Sequence, residues 1–456
     1  MPAYIFIPLV NQYYKDIIKI SWPIIIGQLG MVFTGFFDTL MVGQLGYKEL
    51  AAAGVCNSIF FLVAVFPMGV TMAFATIVSI LQGKNKTSSY TLLARDSALI
   101  TLGLSLVTSL VTYIFIKEFH VFQQTEDVAA LAIPYLTLLM WSMPPMLIFF
   151  FAKNLCDGFS FTLGGMVITL AALALNVFLN WVLIFGHFGF PAYGLNGAGY
   201  ATIISRVFLA VTMLWVMLRS DKVPITAKKF LNSFSDFSRI TFFRKIWQIG
   251  FPTGLQYFFE VAAFAGAAIM AGWLGSQELA AHNLAITLAS LTYMFAGGIS
   301  AGSSICVAKA YGNGNTTNVK QFGKAGLVIG LLVMIVFASF FFLFNAQLSQ
   351  LFTDEPTVIF MGSQLLILAA IFQLSDGVQA ISIGILRGIA DVKVPSLLIF
   401  IAYWIIAMPL GYLMSHSSNT DAFWHGVNGI WIGLSIGLTL SASILSYRFY
   451  RLLRSS

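Results

Sequence analysis

Long apolar stretches alternate with short polar segments along the whole of this 456-residue chain. An α-helix needs about 20 mostly apolar residues to cross the hydrocarbon core of a membrane. Twelve such stretches can be drawn, at residues 17–42, 51–80, 93–116, 129–152, 163–186, 193–218, 246–272, 280–308, 322–344, 358–386, 394–414 and 427–450. Pro23, Pro67, Pro252 and Pro409 lie inside these stretches, where proline is expected to bend a helix. The pattern therefore predicts an all-α polytopic membrane protein with twelve transmembrane helices.

The composition agrees with a protein that faces hydrocarbon over most of its surface. Hydrophobic residues make up 59% of the chain and charged residues only 9%, with a mean hydropathy of +0.88. A soluble globular protein carries about 25% charged residues. The composition therefore excludes the soluble globular class.

The net charge of +7 comes from basic residues that are concentrated in alternate loops. Lysines and arginines gather in alternate loops, in the segment 219–245 and in the C-terminal tail, whereas the other loops carry acids such as Glu126, Asp127 and Glu278. Because cytoplasmic loops of membrane proteins carry an excess of Lys and Arg, both termini are predicted to be cytoplasmic. Membrane lipids are then expected partners, and no nucleic-acid partner is needed.

The two parts of the chain repeat each other. One constant shift along the sequence aligns Pro23 with Pro252 and also the segment GQLGYKELAA at 43–52 with GWLGSQELAA at 272–281. A slightly longer shift aligns GLNG at 194–197 with GVNG at 426–429. Self-similarity over this length indicates an internal duplication.

The duplication predicts three parts, a six-helix bundle at 1–219, a cytoplasmic linker at 220–245 and a second six-helix bundle at 246–456. Each bundle has an even number of spans, so both enter the membrane in the same sense. Such parallel repeats are related by a pseudo-two-fold axis along the membrane normal. This arrangement favours a transporter with a cleft that opens to one side at a time, although a structural scaffold could also be duplicated.

Few ionisable residues occur within the predicted spans, and four of them stand out: Asp38, Arg206, Glu260 and Asp376. Each charge at mid-membrane costs roughly 2.5–3.5 kcal/mol on the insertion scale. We therefore expect the three acids to face a polar cavity, where a proton or a metal cation neutralises them in part. A hydrogen bond between helices is the structural alternative for any one of them. Arg206 is interpreted as structural, either extending towards the interface or pairing with a carbonyl.

Polar residues near these acids extend the prediction. Asn176 and Asn180 stand at i and i+4 on one face of the fifth span, and their amide oxygens and the Thr202 hydroxyl suit Na⁺. Asparagine also links transmembrane helices by hydrogen bonds, which is an equally good interpretation. Gln28 and Gln256 hold nearly corresponding places before the acids of each half, where they either line a cavity or pack helices.

Together these motifs resemble the multidrug and toxic compound extrusion family over essentially the whole chain. The resemblance lies in Pro23 followed by Asp38, the repeated G-x-L-G-x-x-E-L-A-A, the Asn176–Asn180 pair and GAGYAT at 197–202. Glu260 soon after Pro252, together with Asp376 in the tenth span, is similar to the bacterial NorM-like branch.

The resemblance implies a secondary active multidrug efflux transporter that exports cationic or amphipathic organic compounds by antiport with Na⁺ or H⁺. Carried over residue by residue, Glu260 and Asp376 would form the acidic site of the second half, with Na⁺ as its candidate metal ion. The corresponding site of the first half would comprise Asp38, Asn176, Asn180 and Thr202. The substrate cavity would include Gln28, Gln256, Asp38 and Glu260.

Some members of the resembled family carry an acid where this chain has Asn180, so identical coupling chemistry in the first half does not follow. Apart from the coupling ion the resemblance implies no cofactor. The expected protein is a monomer in the bacterial cytoplasmic (inner) membrane, and not an enzyme.

Two other classes of function fit the sequence less well. A flippase for lipid-linked oligosaccharides of similar architecture should carry several basic groups in its cavity, and only Arg206 is available in the middle of a predicted span. An intramembrane enzyme would need a nucleophile with a base, or a metal constellation, and the five histidines show no HExxH spacing. The segment Gly298-Ile-Ser-Ala-Gly302 matches the G-x-S-x-G motif of hydrolases, but it lies in a predicted helix and also fits a GxxxG packing motif.

Overall fold

The computed structural model describes residues 6–235, 241–417 and 422–454, and these ranges contain helices and loops but no strand. Within them twelve helices are long and apolar enough to cross a membrane, one for each predicted stretch. We number these membrane helices α1 Phe6–Gly43, α2 Tyr47–Gly83, α3 Tyr90–Lys117, α4 Glu126–Gly158, α5 Leu163–Phe185, α6 Leu195–Arg219, α7 Phe243–Leu274, α8 Ser276–Gly312, α9 Thr316–Gln350, α10 Pro356–Gly388, α11 Lys393–Ser415 and α12 Val427–Arg454. The predicted all-α fold with twelve membrane helices is confirmed.

The chain divides into two compact units. The N-terminal unit is Ile26–Gly254, and the C-terminal unit combines Met1–Ile25 with Leu255–Ser456. The division cuts α1 and α7 two residues after Pro23 and Pro252, at the positions where the sequence predicted bends. The first part of α1 therefore belongs to the C-terminal unit, and the first part of α7 belongs to the N-terminal unit. The sequence predicted each of these parts for the other half of the chain.

The polar segment between α6 and α7 contains a short helix, Ala227–Asn232, and residues 236–240 of the predicted linker lie outside the described residues. At the end of this segment the buried carboxylate of Asp96 accepts hydrogen bonds from the backbone N–H groups of Thr241 and Phe242, at 3.0 and 2.7 Å. Asp96 also pairs with Arg95 at 2.8 Å, with both side chains fully buried. The start of α7 is therefore fixed to α3 within the N-terminal unit.

A close helix–helix contact at a glycine in one unit has a counterpart inside the other unit. A Cβ atom added to Gly158 of α4 would lie 2.7 Å from the carbonyl oxygen of Ala75 in α2. In the same way, a Cβ atom on Gly388 of α10 would lie 2.8 Å from the carbonyl oxygen of Ser304 in α8. Small residues let membrane helices approach closely. The duplicated sequence thus builds the same helix–helix contact inside each unit.

The G-x-S-x-G segment of α8 serves helix packing. A Cβ atom on Gly298 would lie 3.1 Å from the backbone nitrogen of Ile25, and one on Gly302 would lie 3.2 Å from that of Ser21. Both contacts join α8 to the first part of α1 inside the C-terminal unit. The packing interpretation of this motif is confirmed.

Helix α11 departs from regular α-geometry in its middle. Residues Ile401–Ala407 form a π-helical stretch directly before Met408 and Pro409. Such insertions are rare and are frequent at functional sites. The stretch carries Tyr403, a fully buried residue of the C-terminal unit.

Candidate functional site

Two acids meet in the interior of the C-terminal unit. Glu260 on α7 and Asp376 on α10 are only 6% and 4% exposed. Their carboxylates lie close enough to act electrostatically on each other. Within the described residues, no lysine or arginine contributes to the field at either group. Two buried like charges without a basic partner are costly unless a cation or protons neutralise them.

Tyrosines and a glutamine surround the two acids. Tyr293 of α8 and Tyr403 of α11 both interact electrostatically with Glu260 and with Asp376. Gln379 of α10 donates a hydrogen bond to the Tyr403 hydroxyl at 3.3 Å. The Gln379 amide oxygen in turn accepts from the Ser441 hydroxyl of α12. Five helices of one unit therefore contribute to this acidic cluster.

Two further glutamines stand one helical turn from the acids. Gln256 precedes Glu260 by four residues on α7, and Gln373 precedes Asp376 by three on α10, so each pair shares a helix face. Both glutamines are buried, at 2% and 1% exposure. Neither the oxygen nor the nitrogen of the Gln373 amide has a hydrogen-bond partner. A buried polar group normally has a hydrogen-bond partner, so the Gln373 amide is a candidate ligand for a bound cation.

The donor set of the acidic cluster fits a hard monovalent cation or protons. Carboxylate and amide oxygens are the ligands that hard cations prefer. In the part of the chain that the structure describes, no group of three His, Cys, Asp or Glu side chains comes together. The cluster thus offers two negative charges and neutral oxygens.

A second polar cluster lies in the N-terminal unit. The amide nitrogen of Asn180 donates to the Asp38 carboxylate at 2.5 Å and contacts the Asn176 amide oxygen at 3.2 Å. The two asparagines are fully buried. Thr202 on α6 is 5% exposed, and its hydroxyl has no hydrogen-bond partner. The predicted association of Asp38 with the asparagine pair is present in the structure.

Arg206 belongs to this second cluster. It stands one turn after Thr202 on α6, and its guanidinium interacts electrostatically with Asp38 and with the buried Tyr135 of α4. The guanidinium donates to the Ser142 hydroxyl at 2.5 Å and lies 4.3 Å from the centroid of the Phe60 ring. Arg206 therefore contacts a hydroxyl and an aromatic ring of two neighbouring helices, and its interpretation as a structural residue stays a prediction.

The predicted site residues are thus divided between the two units. Gln256 joins Glu260 and Asp376, whereas Gln28 lies ten residues before Asp38 on α1, which is about 15 Å along a helix. The amide oxygen of Gln28 is buried without a partner. Its assignment to a substrate cavity stays a prediction.

Sequence reasoning missed several residues of the two clusters. Gln373 and Gln379 flank Asp376 at three residues on either side, a spacing that helical periodicity could have revealed. The tyrosines at 135, 293 and 403 carry no such signal, because only the packing of separate helices brings them to the acids.

Comparisons with known proteins agree with this architecture. The MatE family model matches residues 23–182 and again 252–413, and the two matches begin at Pro23 and Pro252, the prolines that the predicted duplication aligns. The chain is 30% identical over 440 residues to a probable multidrug resistance protein NorM of Pasteurella multocida, covering 96% of this chain and 94% of the relative. It is 31% identical to a multidrug resistance protein NorM of Vibrio vulnificus, covering 98% of both chains.

Solved structures share the fold. The Vibrio cholerae MATE transporter VcmN in its bent form matches with a TM-score of 0.83 at 19% identity, covering 98% of both chains. A eukaryotic MATE transporter, AtDTX14, matches with a TM-score of 0.86 at 18% identity, again with 98% coverage of each. The family model covers most of the chain in two copies, and the chain therefore belongs to the MatE family, the family that its motifs resemble.

Proposed function

We propose that this protein is a multidrug efflux transporter that exports cationic or amphipathic organic compounds in exchange for Na⁺ or H⁺. The observation that carries the proposal is the pair of buried carboxylates, Glu260 and Asp376, which share one interior cluster without a basic partner among the described residues. Support for the class of substrate comes from the relatives, which are named multidrug resistance proteins.

In the proposed mechanism the acidic cluster binds either the coupling cation or the organic substrate. A carboxylate that holds Na⁺ or a proton no longer attracts a cationic compound, so the two ligands compete. Amide oxygens at Gln256 and Gln373 would complete the coordination of Na⁺. Asp38, Asn176, Asn180 and Thr202 provide the polar cluster of the N-terminal unit.

The proposed setting is the bacterial inner membrane, with both termini cytoplasmic and the protein acting as a monomer. Twelve apolar helices and the bacterial NorM relatives support a multi-pass protein of that membrane. A lipid-linked oligosaccharide flippase is less well supported, because the acidic cluster of the C-terminal unit would repel a pyrophosphate.

Transport measured in vesicles that contain the protein, with sodium and proton gradients imposed separately, tests the proposal. We expect efflux of a fluorescent organic cation from vesicles when either a sodium or a proton gradient is imposed, and not when both are absent. Glu260→Gln and Asp376→Asn should each abolish this ion-driven efflux while leaving the protein inserted. Asp127→Asn, which changes an acid that is 65% exposed, is the matched control and should transport normally. Efflux that ignores both gradients would indicate a facilitative pathway and defeat the proposal.

A further inference from the structure

A groove opens on the surface of the C-terminal unit between α1, α9 and α12. Its volume is about 490 Å³, and its lining includes Tyr13, Tyr14, Lys324, Val328, Leu331 and Tyr450. All of these residues lie in the C-terminal unit, and none of them belongs to the acidic cluster of Glu260 and Asp376. The proposed exchange of ions and organic compounds therefore does not account for this groove.

The way α9 packs explains why this side of the helix lines a groove. Gly323 and Gly330 stand two turns apart on α9, and a Cβ atom added to either would press against a side chain of another helix. Small residues allow membrane helices to approach closely on such a face. Lys324, Val328 and Leu331 recur at helical spacing on a different face of α9, the face that lines the groove.

One end of the groove is polar. Lys324 is the one charged side chain among the described residues that line it, and it is exposed. No acid within the described ranges forms an ion pair with Lys324. Tyr13 and Tyr450 bring aromatic rings and hydroxyls from α1 and α12. The Tyr13 hydroxyl donates to the Asn318 amide oxygen at 2.9 Å, and its ring packs edge-on against Phe322 at 4.8 Å, so Tyr13 is fixed against α9.

The other end of the groove is apolar. Leu331 follows Lys324 by seven residues, which is about 10 Å along a helix. Val328 and Leu331 are 42% and 40% exposed, and exposed apolar residues in the middle of a membrane helix face hydrocarbon. Lys324 lies eight residues after the start of α9, and Tyr450 lies four residues before the end of α12, on the side that the sequence predicts to be cytoplasmic. The groove therefore runs from the level of lipid head groups to the level of acyl chains.

We infer that this groove binds an anionic phospholipid, with the phosphate at Lys324 and an acyl chain along Val328 and Leu331. Basic pockets between membrane helices at the cytoplasmic surface bind anionic head groups, and tyrosine is typical of the head-group level. The lysine ammonium binds a phosphate as a point charge. Phosphatidylethanolamine carries an ammonium group of its own beside the phosphate, which Lys324 repels, so an anionic head group is favoured. The bound lipid would contact α1, α9 and α12 together.

Native mass spectrometry tests the inference on the full-length protein, incubated in detergent with either phosphatidylglycerol or phosphatidylethanolamine. We expect the first phosphatidylglycerol to bind more tightly than the first phosphatidylethanolamine. Lys324→Gln should weaken phosphatidylglycerol binding about fivefold, the equivalent of about 1 kcal/mol for one basic group near the membrane surface. Lys86→Gln makes the same chemical change at an exposed position between α2 and α3, and it should bind phosphatidylglycerol as the unmodified protein does.

The apolar end of the groove is tested without changing its charge. Val328→Trp places a bulky side chain in the groove and should displace the lipid, whereas Leu332→Trp, at an exposed neighbour outside the groove, should not. Equal binding of the two lipids by the unmodified protein would overturn the inference, and so would unchanged phosphatidylglycerol binding in Lys324→Gln or in Val328→Trp. Inorganic phosphate at the same concentration should leave the lipid bound. Its displacement by phosphate would identify a site for a free anion and contradict the lipid site.

Discussion

At the scale of single residues, cation binding by the acidic cluster can be tested at Gln373, whose amide has no hydrogen-bond partner. Gln373 is 1% exposed, and neither of its amide atoms has a hydrogen-bond partner, one turn from Asp376. If its oxygen binds the coupling cation, Gln373→Leu should weaken sodium binding while leaving both carboxylates in place. A lost ligand worth about 1.4 kcal/mol lowers affinity roughly tenfold.

The measurement for this prediction is the sodium concentration that gives half-maximal efflux in vesicles. Gln350→Leu, at the exposed end of α9, makes the same chemical change outside the cluster and serves as the control. An unchanged half-maximal concentration in Gln373→Leu would remove Gln373 from the cation site without touching the role of the two acids.

At the scale of helices, the corresponding glycine contacts predict that a larger side chain destabilises both units to a similar extent. Gly158→Val and Gly388→Val each place a side chain against a backbone carbonyl of the neighbouring helix. Because a backbone cannot move aside as a side chain can, each change should destabilise its unit by about 1–3 kcal/mol. Gly103→Val in α3 is the control, since a Cβ atom there meets nothing within 4 Å.

Melting temperature and the monodisperse fraction in detergent report this effect. We expect both Gly158→Val and Gly388→Val to fall below Gly103→Val in each measurement. A variant of either glycine that melts with the control would show that the helices can separate at that contact without loss of stability.

Hydropathy was sufficient to place the helices because a membrane span requires about 20 apolar residues whatever its neighbours are. The sequence could also pair Asn176 with Asn180, since one helix fixes their spacing. It could not place Arg206, whose partners Ser142 and Phe60 lie on two other helices that are distant along the chain. Nor could it predict that a π-helical stretch would carry Tyr403 to the acids, because that geometry depends on packing between helices.

At the scale of the whole molecule, exchange requires that the coupling cation and the exported compound weaken each other's binding. Linkage makes the effect reciprocal, so each ligand lowers the affinity for the other by the same factor. The acidic cluster can supply this competition, because Glu260 and Asp376 are the negative charges that either ligand would neutralise. One net charge moving through 100 mV releases about 2.3 kcal/mol. At about 1.4 kcal/mol per decade, this energy supports roughly a fifty-fold gradient of the exported compound.

We therefore predict that added Na⁺ or a lowered pH releases a bound fluorescent organic cation from the purified protein, measured by fluorescence anisotropy in detergent. The sign follows from competition, since protons and Na⁺ both remove the negative charge that attracts the compound. Glu260→Gln and Asp376→Asn should each blunt the release, whereas Asp127→Asn should not. Asp38→Asn should blunt the release as well, because it removes the carboxylate of the N-terminal polar cluster. An affinity for the fluorescent cation that is the same at every sodium concentration and pH would contradict competition at the acidic cluster, and with it the exchange of one ligand for the other.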